Sequence, residues 1–540
     1  MRKETAATIL ITILLTLLVA CSSEPAGTPP PPAIVLPAVV AEPTPAPEQK
    51  RPVTPIANPI GKVTPTRQPT WTPTAEPTPE TGYYVAPEGN DEQGEGTESQ
   101  PWASITQAVE NVPDGSTIIV RPGVYHEAVS LARQFEAGIT IQAAEPYRTR
   151  LEYDDTVVTC YTCAGIALEG FEIAHDGEGA ERYVIQIQDL EGEGKGGQRV
   201  TLRNNVIHDS RNNDLVKVNN GAGEIVISGN IFYNMGGPHR DSHLDINSAT
   251  DVTVEDNIFF NDFAASNRDN DHDTGSFVVV KDSNADDDRN LGSHRITLRR
   301  NIFLNWQGDD HNTFIVVGED AVDYFQATEV LIENNLMLGN ATEDMMEAAF
   351  QLRGSRDIVF RNNTIAGDLP ARAFALRLSR SDNNPRNERV AFYNNIWSDP
   401  TGSMGAEEED AGRLVDADPD DTESVTLANN LYWNAGNAIP ADEDALVNYA
   451  GDNAAIVADP GLGRQEQISL PIWQIDEARF ADGSTSIRQA FEQLVTQYGT
   501  PDPESAAVDA ASAAHAPADD ILGNSRPAGQ APDIGAVELE

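Results

Sequence analysis

Positive charge is scarce in this chain: 36 Lys and Arg stand against 85 Asp and Glu, a formal net charge of −49. An extended polyanion such as nucleic acid would be repelled everywhere except at a local basic patch. No basic stripe with interleaved aromatics occurs, so nucleic acid is excluded as a partner. Cysteine is nearly absent, with three in 540 residues. Cys160 and Cys163 form a lone C-x-x-C without the second pair a zinc site needs, and no thioredoxin-like context surrounds them. In an exported protein, a small disulfide loop is the expectation for that spacing. Neither a nucleophile elbow nor a P-loop appears.

The apolar run near the start is short. Arg2 and Lys3 precede the apolar stretch Ile9 to Val19, and Leu18-Val19-Ala20-Cys21 reads as a lipobox. This order resembles a lipoprotein signal peptide, residues 1–20, processed before Cys21. The run is too short for a good spanning helix. Lipidation at Cys21 is therefore expected, with the protein exported and held at the bacterial cell envelope or surface by its lipid anchor alone. Residues 21–80 are rich in Pro, Thr, Ala and Glu, with units such as Pro43-Thr44-Pro45 and Pro77-Thr78-Pro79. Too few apolar residues are present to offset ordering entropy, so the stretch reads as a semi-rigid, disordered tether.

The remainder exceeds the usual size of one compact domain, yet carries no second linker. Repetition accounts for it. An Asn recurs just before an apolar pair or triplet, at Asn205, Asn230, Asn257, Asn301, Asn335, Asn363, Asn395 and Asn430, with spacings of about 25 to 44 residues. Such periods signal a solenoid with variable loops. Each Asn follows a run alternating apolar and polar residues, as in Glu224-Ile225-Val226-Ile227-Ser228. Period-two alternation means a strand with one buried face, and an Asn behind it suits a turn that tolerates left-handed geometry. Stacked Asn side chains are expected to satisfy one another along the solenoid axis.

A second strand precedes each of these by a turn. Aligning its copies on their buried positions places Gln186, Lys217, Asp245, Val279, Val316, Gln351 and Arg377 in one outward column. The neighbouring column holds Asn219, Asn247, Lys281, Gly318, Arg353 and Ser379. This is the most informative surface in the chain.

The opening residues carry a resemblance beyond periodicity. Tyr83-Tyr84-Val85-Ala86-Pro87, Gly89-Asn90-Asp91, Pro101-Trp102, Asp114-Gly115 and Arg121-Pro122-Gly123-Val124-Tyr125 look like the start of secreted pectate-lyase-like proteins. The resemblance implies an all-β, right-handed parallel β-helix over residues 81–465. An amphipathic helix from Ser104 to Val112 would plug its N-terminal end. Residues 466–540 resemble the closing segment of bacterial surface β-helix proteins, in Asp509-Ala510, Arg526-Pro527 and Pro532-Asp533-Ile534-Gly535-Ala536. Within it, Ile487, Ala490, Phe491, Leu494 and Tyr498 give one helical face, with Ser484 or Thr485 as N-cap and Gly499 as stop. This helix is expected over the open C-terminal edge.

Three chemistries compete for the outward columns, since such a fold hosts several. A polysaccharide lyase acting on uronate-containing glycans needs a base for the proton α to the carboxyl and a cation for the charge that develops. Lys217 beside Asp245 can supply both, with His243 adjacent and Asn219, Asn247, Lys281, Gln351, Arg353 and Arg377 binding substrate. The segment Asn212 to Lys217 resembles the rung bearing a lysine base in calcium-dependent pectate lyases, but the aspartate cluster expected on the preceding rung is absent. A glycoside hydrolase would use paired carboxylates, for which Gly308-Asp309-Asp310-His311 is the nearest match. A non-catalytic surface module would bind glycan or protein along the flat face. In each case the partner is an extracellular polysaccharide or surface ligand, and the protein acts as a monomer. Asp269, Asp271 and Asp273 alternate before Gly275 like a displaced calcium loop, with Asp286-Asp287-Asp288 following, so Ca²⁺ is the cofactor the sequence points to.

Overall fold

The structure, a computed structural model, describes residues 82–177, 179–190, 194–283, 291–340, 344–369, 371–381, 383–404, 413–441, 446–465 and 467–540. The signal peptide, Cys21, the tether and Asp286-Asp287-Asp288 lie outside the described residues. The chain divides into two units, Met1–Ala75 and Glu76–Glu540, and only the second is described below. No helix among the described residues is long and apolar enough to cross a membrane.

The period-two segments form three all-parallel sheets of twelve, twelve and ten strands, and each turn of the chain contributes one strand to each. We call them sheets I, II and III in the order the chain enters them. The result is a right-handed parallel β-helix, the hand that parallel crossovers adopt. Successive rungs pair in register: Ile225, Val252, Ile296, Val330, Ile358 and Val390 follow one another across sheet I. Identical inward positions therefore stack into columns. Phe232, Phe259 and Phe303 stack with ring centroids 4.7 and 5.0 Å apart, each pair contributing about 0.5–1.5 kcal/mol beyond burial.

The recurring Asn residues sit inside the bend from sheet I to sheet II and form a continuous ladder. Asn301 donates its backbone N–H and Nδ2 to Asn335 Oδ1 at 2.9 and 3.0 Å, and Asn335 does the same to Asn363 at 2.9 Å each. Every Asn of this ladder is fully buried. The left-handed residue of this bend is the one before the Asn, such as Asn204 at φ 54°, Arg300 at 52° and Asn362 at 51°. The ladder Asn itself has to turn its amide into the stack, which moves the strained torsion one position upstream. Gly229 fills that position once, at φ 65°. Asp452 closes the ladder, accepting from Asn430 Nδ2 at 2.7 Å and from the Tyr432 hydroxyl at 2.8 Å. A carboxylate suits that place because no further rung needs its donor.

Helix α1, Ile105–Asn111, is capped by Ser104 and buries Ile105, Ala108 and Val109 against the first rung, as the sequence predicts. At the far end Ile439, Val447 and Tyr449 pack on the last rung. The closing helix α2, Ile487–Leu494, lies elsewhere. Its N-cap is Ser486, not Ser484 or Thr485: Ser486 Oγ accepts from Gln489 N, whereas Ser484 is turned inward onto Asp482. Ile487, Ala490, Phe491 and Leu494 pack on the outer face of sheet II, against a cluster containing Tyr233, Phe260, Leu304 and Leu336. The C-terminal cap thus runs along a flank of the solenoid. Its apolar face has a partner there because sheet II is apolar outside as well as inside. Arg300 fastens it to the body through Asp519 at 2.9 Å.

Candidate active site

Sheet III brings the predicted column together. Gln186 pairs with Lys217, Lys217 with Asp245, Asp245 with Val279, Val279 with Val316, Val316 with Gln351 and Gln351 with Arg377. One position over, Asn219, Asn247 and Lys281 stand in register, as do Arg353 and Ser379. Alternation along the strand turns these side chains away from the core.

Where the charges concentrate, they form a network. Lys217 Nζ donates to Asp245 Oδ2 at 2.5 Å and lies 3.7 Å from Asp214 Oδ2. Lys281 Nζ lies 3.7 Å from the same Asp245 oxygen, 3.5 Å from Asp320 and in contact with Glu319. Burial alone would lower the Lys217 ammonium, but Asp245 and Asp214 outweigh it and hold the lysine above its ordinary value. Lys281 is half-buried, and against the lowering by that burial Asp245, Glu319 and Asp320 hold it well above its ordinary value. Burial pushes the Asp245 carboxyl up, and the two lysines more than reverse it, leaving it low.

Two carboxylates that sequence reasoning passed over complete the cluster. Asp214 and Asp241 stand at the bends where the chain enters sheet III, three and four residues ahead of Lys217 and Asp245. Asp214 accepts from Ser242 N at 2.7 Å, tying two rungs together, and burial raises it well above the ordinary range. Burial raises Asp241 to about 6 against the pull of Lys217, and its Oδ2 has no hydrogen-bond partner. Tyr183, on the neighbouring rung, feels the charges of Lys217, Asp214, Asp245 and Asp241. No periodic signal marks these residues, since they lie three and four residues before their outward positions, in bends outside the period-two runs.

His243 does not join them. It is fully buried, stacked on Phe277 with centroids 4.4 Å apart, and its Nε2 meets Asn261 Oδ1 at 2.9 Å. Burial lowers it to about 3. Its rung neighbours Val184, Leu215, Phe277 and Phe314 are all buried core residues, so the register itself marks the position as inward. The catalytic role expected from its sequence neighbourhood is therefore corrected to a core role.

In the outward column Val279 and Val316, 1% and 2% exposed, stand between Asp245 and the polar residues further along the sheet, which Glu319 joins to the Lys281 side. There Arg377 contacts Glu347 and lies 3.1 Å from Asp416, while Arg353 donates to the Glu319 carbonyl at 3.4 Å. Gln351 is 1% exposed, and turning its amide allows its oxygen to accept from Arg353. Asp309 is held by Arg240 at 3.0 Å and His311 lies 2.5 Å from Asp310, so this pair of carboxylates is already engaged. Asn247 exchanges hydrogen bonds with Ser283 at 2.8 and 3.0 Å. Cys160 and Cys163, both buried, are joined in a disulfide.

Comparison with known proteins decides the fold. The solved pectate lyase Pel9A superposes over 85% of this chain and 96% of its own, with a TM-score of 0.50 and 14% identity. The fold is the pectate-lyase-like parallel β-helix. A complex of XylC with xylose and a rhamnogalacturonan lyase are also similar, at TM-scores of 0.47 and 0.41, identities of 14% and 15%, and coverages of 85% and 78% of this chain and 98% and 99% of theirs. No protein-family profile matches the chain. One curated sequence, the uncharacterized protein YwoF of Bacillus subtilis (strain 168), is 28% identical over 101 residues, which is 17% of this chain and 21% of that protein's length.

For a pectate-lyase-like β-helix, calcium is the cofactor to test. Asp269, Asp271 and Asp273 do not form a converging set. Among the described residues the groups of three that meet within 4.8 Å are His126, Glu152 and Asp176, and Asp309, Asp310 and His311. The Asp269–Asp273 loop is instead shaped by Asn270, which accepts from His272 N at 3.0 Å and reaches Asp344 at 3.3 Å. In the sheet III cluster the ammonium of Lys217 already stands between Asp245 and Asp214. These residues do not fit a calcium ion beside that lysine.

Proposed function

We propose that this is an exported, lipid-anchored β-helix protein that processes an acidic extracellular polysaccharide on sheet III, by β-elimination at uronate residues. Cys21 would carry the lipid, residues 21–80 would hold the helix away from the membrane, and residues 81–465 and 466–540 would be β-helix and cap. The observation that carries the reading is the pair Lys217 and Lys281, on adjacent columns two rungs apart, sharing Asp245 beside the unpartnered Asp241 oxygen. The naming of the solved Pel9A as a pectate lyase supports it.

Each residue then has a task. The two ammoniums face a uronate carboxylate and stabilise the charge that builds on it when the α proton leaves, an electrostatic role worth about 10²–10³ in rate for a single donor. Asp241 accepts that proton, its raised value placing it near the operating pH of a general base. The electron pair becomes the new carbon–carbon double bond, and the glycosidic C–O bond breaks to release the leaving sugar, whose oxygen takes up a proton. Asn219, Arg353 and Arg377, the half-buried members of the columns, bind neighbouring sugar units, whereas Asn247 and Gln351, 3% and 1% exposed, are too buried to touch them. Lys217 acts as a cation and not as the base, because its carboxylate neighbours favour its charged form.

Absorbance in the near ultraviolet tests this directly, with pectate, alginate and glycosaminoglycans as substrates and Lys217→Ala as the control. An unsaturated product that vanishes in the variant is the expected result. The Asn, Gln, Arg and Lys side chains of the outward columns suit sugar hydroxyls and support a second reading as a glycan-binding module, with Val279 and Val316 interrupting the polar run. Binding on a glycan array without product from any substrate would establish that reading instead.

A further inference from the structure

We infer that Glu319 is a built-in competitor for the anionic substrate: its carboxylate occupies the Lys281 ammonium, and a uronate carboxylate reaches that ammonium only after the Glu319 side chain swings aside. The inference rests on the reading of Lys281 as a partner of substrate carboxylates and not on β-elimination, so it holds equally for a binding module.

The chain places Glu319 by a turn that suits glycine alone. Val317 pairs with Val280, so Gly318 follows it as Lys281 follows Val280 on the rung before. Gly318 stands at φ 86°, and a Cβ there would meet the Arg353 carbonyl oxygen at 1.8 Å. A left-handed residue without a side chain lets the chain leave the sheet at once. Glu319 then lies between two cations: its carboxylate contacts Lys281, and its carbonyl accepts from Arg353 Nη1 at 3.4 Å. The backbone beyond is pinned. Gln326 Oε1 accepts from Glu319 N and Asp320 N at 2.9 Å each, and Asn384 Nδ2 donates to the Asp320 and Val322 carbonyls at 2.8 and 2.9 Å.

A pinned backbone with a half-exposed carboxylate makes the contact exchangeable. With Glu319 against it, Lys281 keeps only 13% of its side chain exposed, so little of it is open to a ligand anion. Glu319 is 32% exposed, so rotation about its own side-chain bonds carries the carboxylate into water while the loop stays where it is. An ion pair with one partner open to water is weak. Asp320 and Asp245 remain at 3.5 and 3.7 Å, so the ammonium is not left alone when Glu319 departs. A chain of uronates brings a carboxylate to replace the one it displaces. A neutral sugar brings none, and Glu319 therefore selects for anionic glycans.

Isothermal titration calorimetry of the full-length protein with oligogalacturonate and oligomannuronate tests this, in an Asp241→Asn background so that neither is consumed. Glu319→Gln should tighten binding by about fivefold, because the binding-competent form no longer has to be released from an internal ligand. Asp323→Asn removes an exposed charge from the same loop and should change affinity by less than about twofold. Lys281→Gln should weaken binding, and Glu319→Gln added to it should restore nothing. The carboxyl-reduced, neutral form of either oligosaccharide should not distinguish Glu319→Gln from its parent. A gain below about twofold in Glu319→Gln, an equal gain in Asp323→Asn, or a gain that persists without Lys281 would overturn the inference while leaving the uronate reading in place. Should Lys281→Gln fail to fold, the comparison of Glu319→Gln with Asp323→Asn decides. Absence of binding by every variant to both oligosaccharides would overturn the uronate reading of sheet III, and the inference with it.

Discussion

Asp245 Oδ2 accepts from Lys217 at 2.5 Å and lies 3.7 Å from Lys281, which the register places one rung on and one column over. One carboxylate thus holds two cations that would otherwise repel each other where little water reaches them. This is why neither lysine can be removed without cost to the rest.

Lys217→Ala is expected to lower turnover by about 10²–10³, the effect of removing one preorganised charge-stabilising group. It should also destabilise the fold by about 3–5 kcal/mol, because Asp214 is left buried without a cation and Asp245 keeps only Lys281 at 3.7 Å. Steady-state absorbance and urea unfolding read the two effects separately. Unchanged turnover in a folded variant would remove Lys217 from the chemistry.

The pH profile should carry an acid limb near pH 6. Asp241, raised to about 6 mainly by burial, must be deprotonated to accept a proton, so turnover rises as pH passes upward through that value and levels above it. Stability runs the other way. A carboxyl whose folded value is raised binds its proton more tightly in the folded state, so its contribution is complete below the ordinary carboxylate range and is lost as pH rises through about 6. Asp241→Asn should abolish turnover at all pH values; a persisting acid limb in that variant would assign it to another group.

Much of this architecture was legible in residue order alone. The Asn spacing and the period-two runs gave the rungs, and the register they imply placed Lys217 beside Asp245 and Asn247 beside Lys281, where the structure has them. What stayed hidden lies where alternation breaks. Asp214 and Asp241 sit in bends, whose direction no periodicity specifies, and His243 has the parity of an outward residue but precedes the strand, where the backbone turns inward. The cap helix was readable as a helix, but its docking surface was not, because the apolar outer face of sheet II looks in sequence like an ordinary buried strand.

His243→Leu should leave turnover within about threefold of wild type. The ring is packed on Phe277, neutral at physiological pH, and fully buried in the core. The cost falls on stability, about 0.5–1.5 kcal/mol, because one hydrogen bond to Asn261 Oδ1 is lost while that oxygen keeps the one from Asn234 N at 2.9 Å. A fall in turnover beyond a hundredfold with an unchanged melting temperature would return His243 to the active site.

Asn335→Ala should destabilise the β-helix by about 2–5 kcal/mol without changing its mechanism. The substitution strips the acceptor from Asn301 N and the side-chain donor from the Leu298 carbonyl and Asn363 Oδ1, while Asn301 Nδ2 keeps the Val254 and Arg299 carbonyls, and each buried group left without a partner costs about 1–3 kcal/mol. Asn335→Asp separates the two halves of the loss, since it keeps the acceptor and removes the donor. Thermal unfolding should rank wild type above Asp and Asp above Ala. The reverse order would mean that the buried negative charge outweighs the hydrogen bonds it saves.

The cap should come away before the solenoid does. Phe491 is 1% exposed against the outer face of sheet II, whose strands are already paired with the rungs on either side. Phe491→Ala removes about 3–5 kcal/mol of burial from that docking and nothing from the rung-to-rung ladders. Proteolysis in residues 467–540 is therefore expected to accelerate while the β-helix stays intact, and unfolding should separate into an early step and an unshifted main one. A single transition moved as a whole would show instead that cap and solenoid unfold together, and that the outer face of sheet II cannot stand in water uncovered.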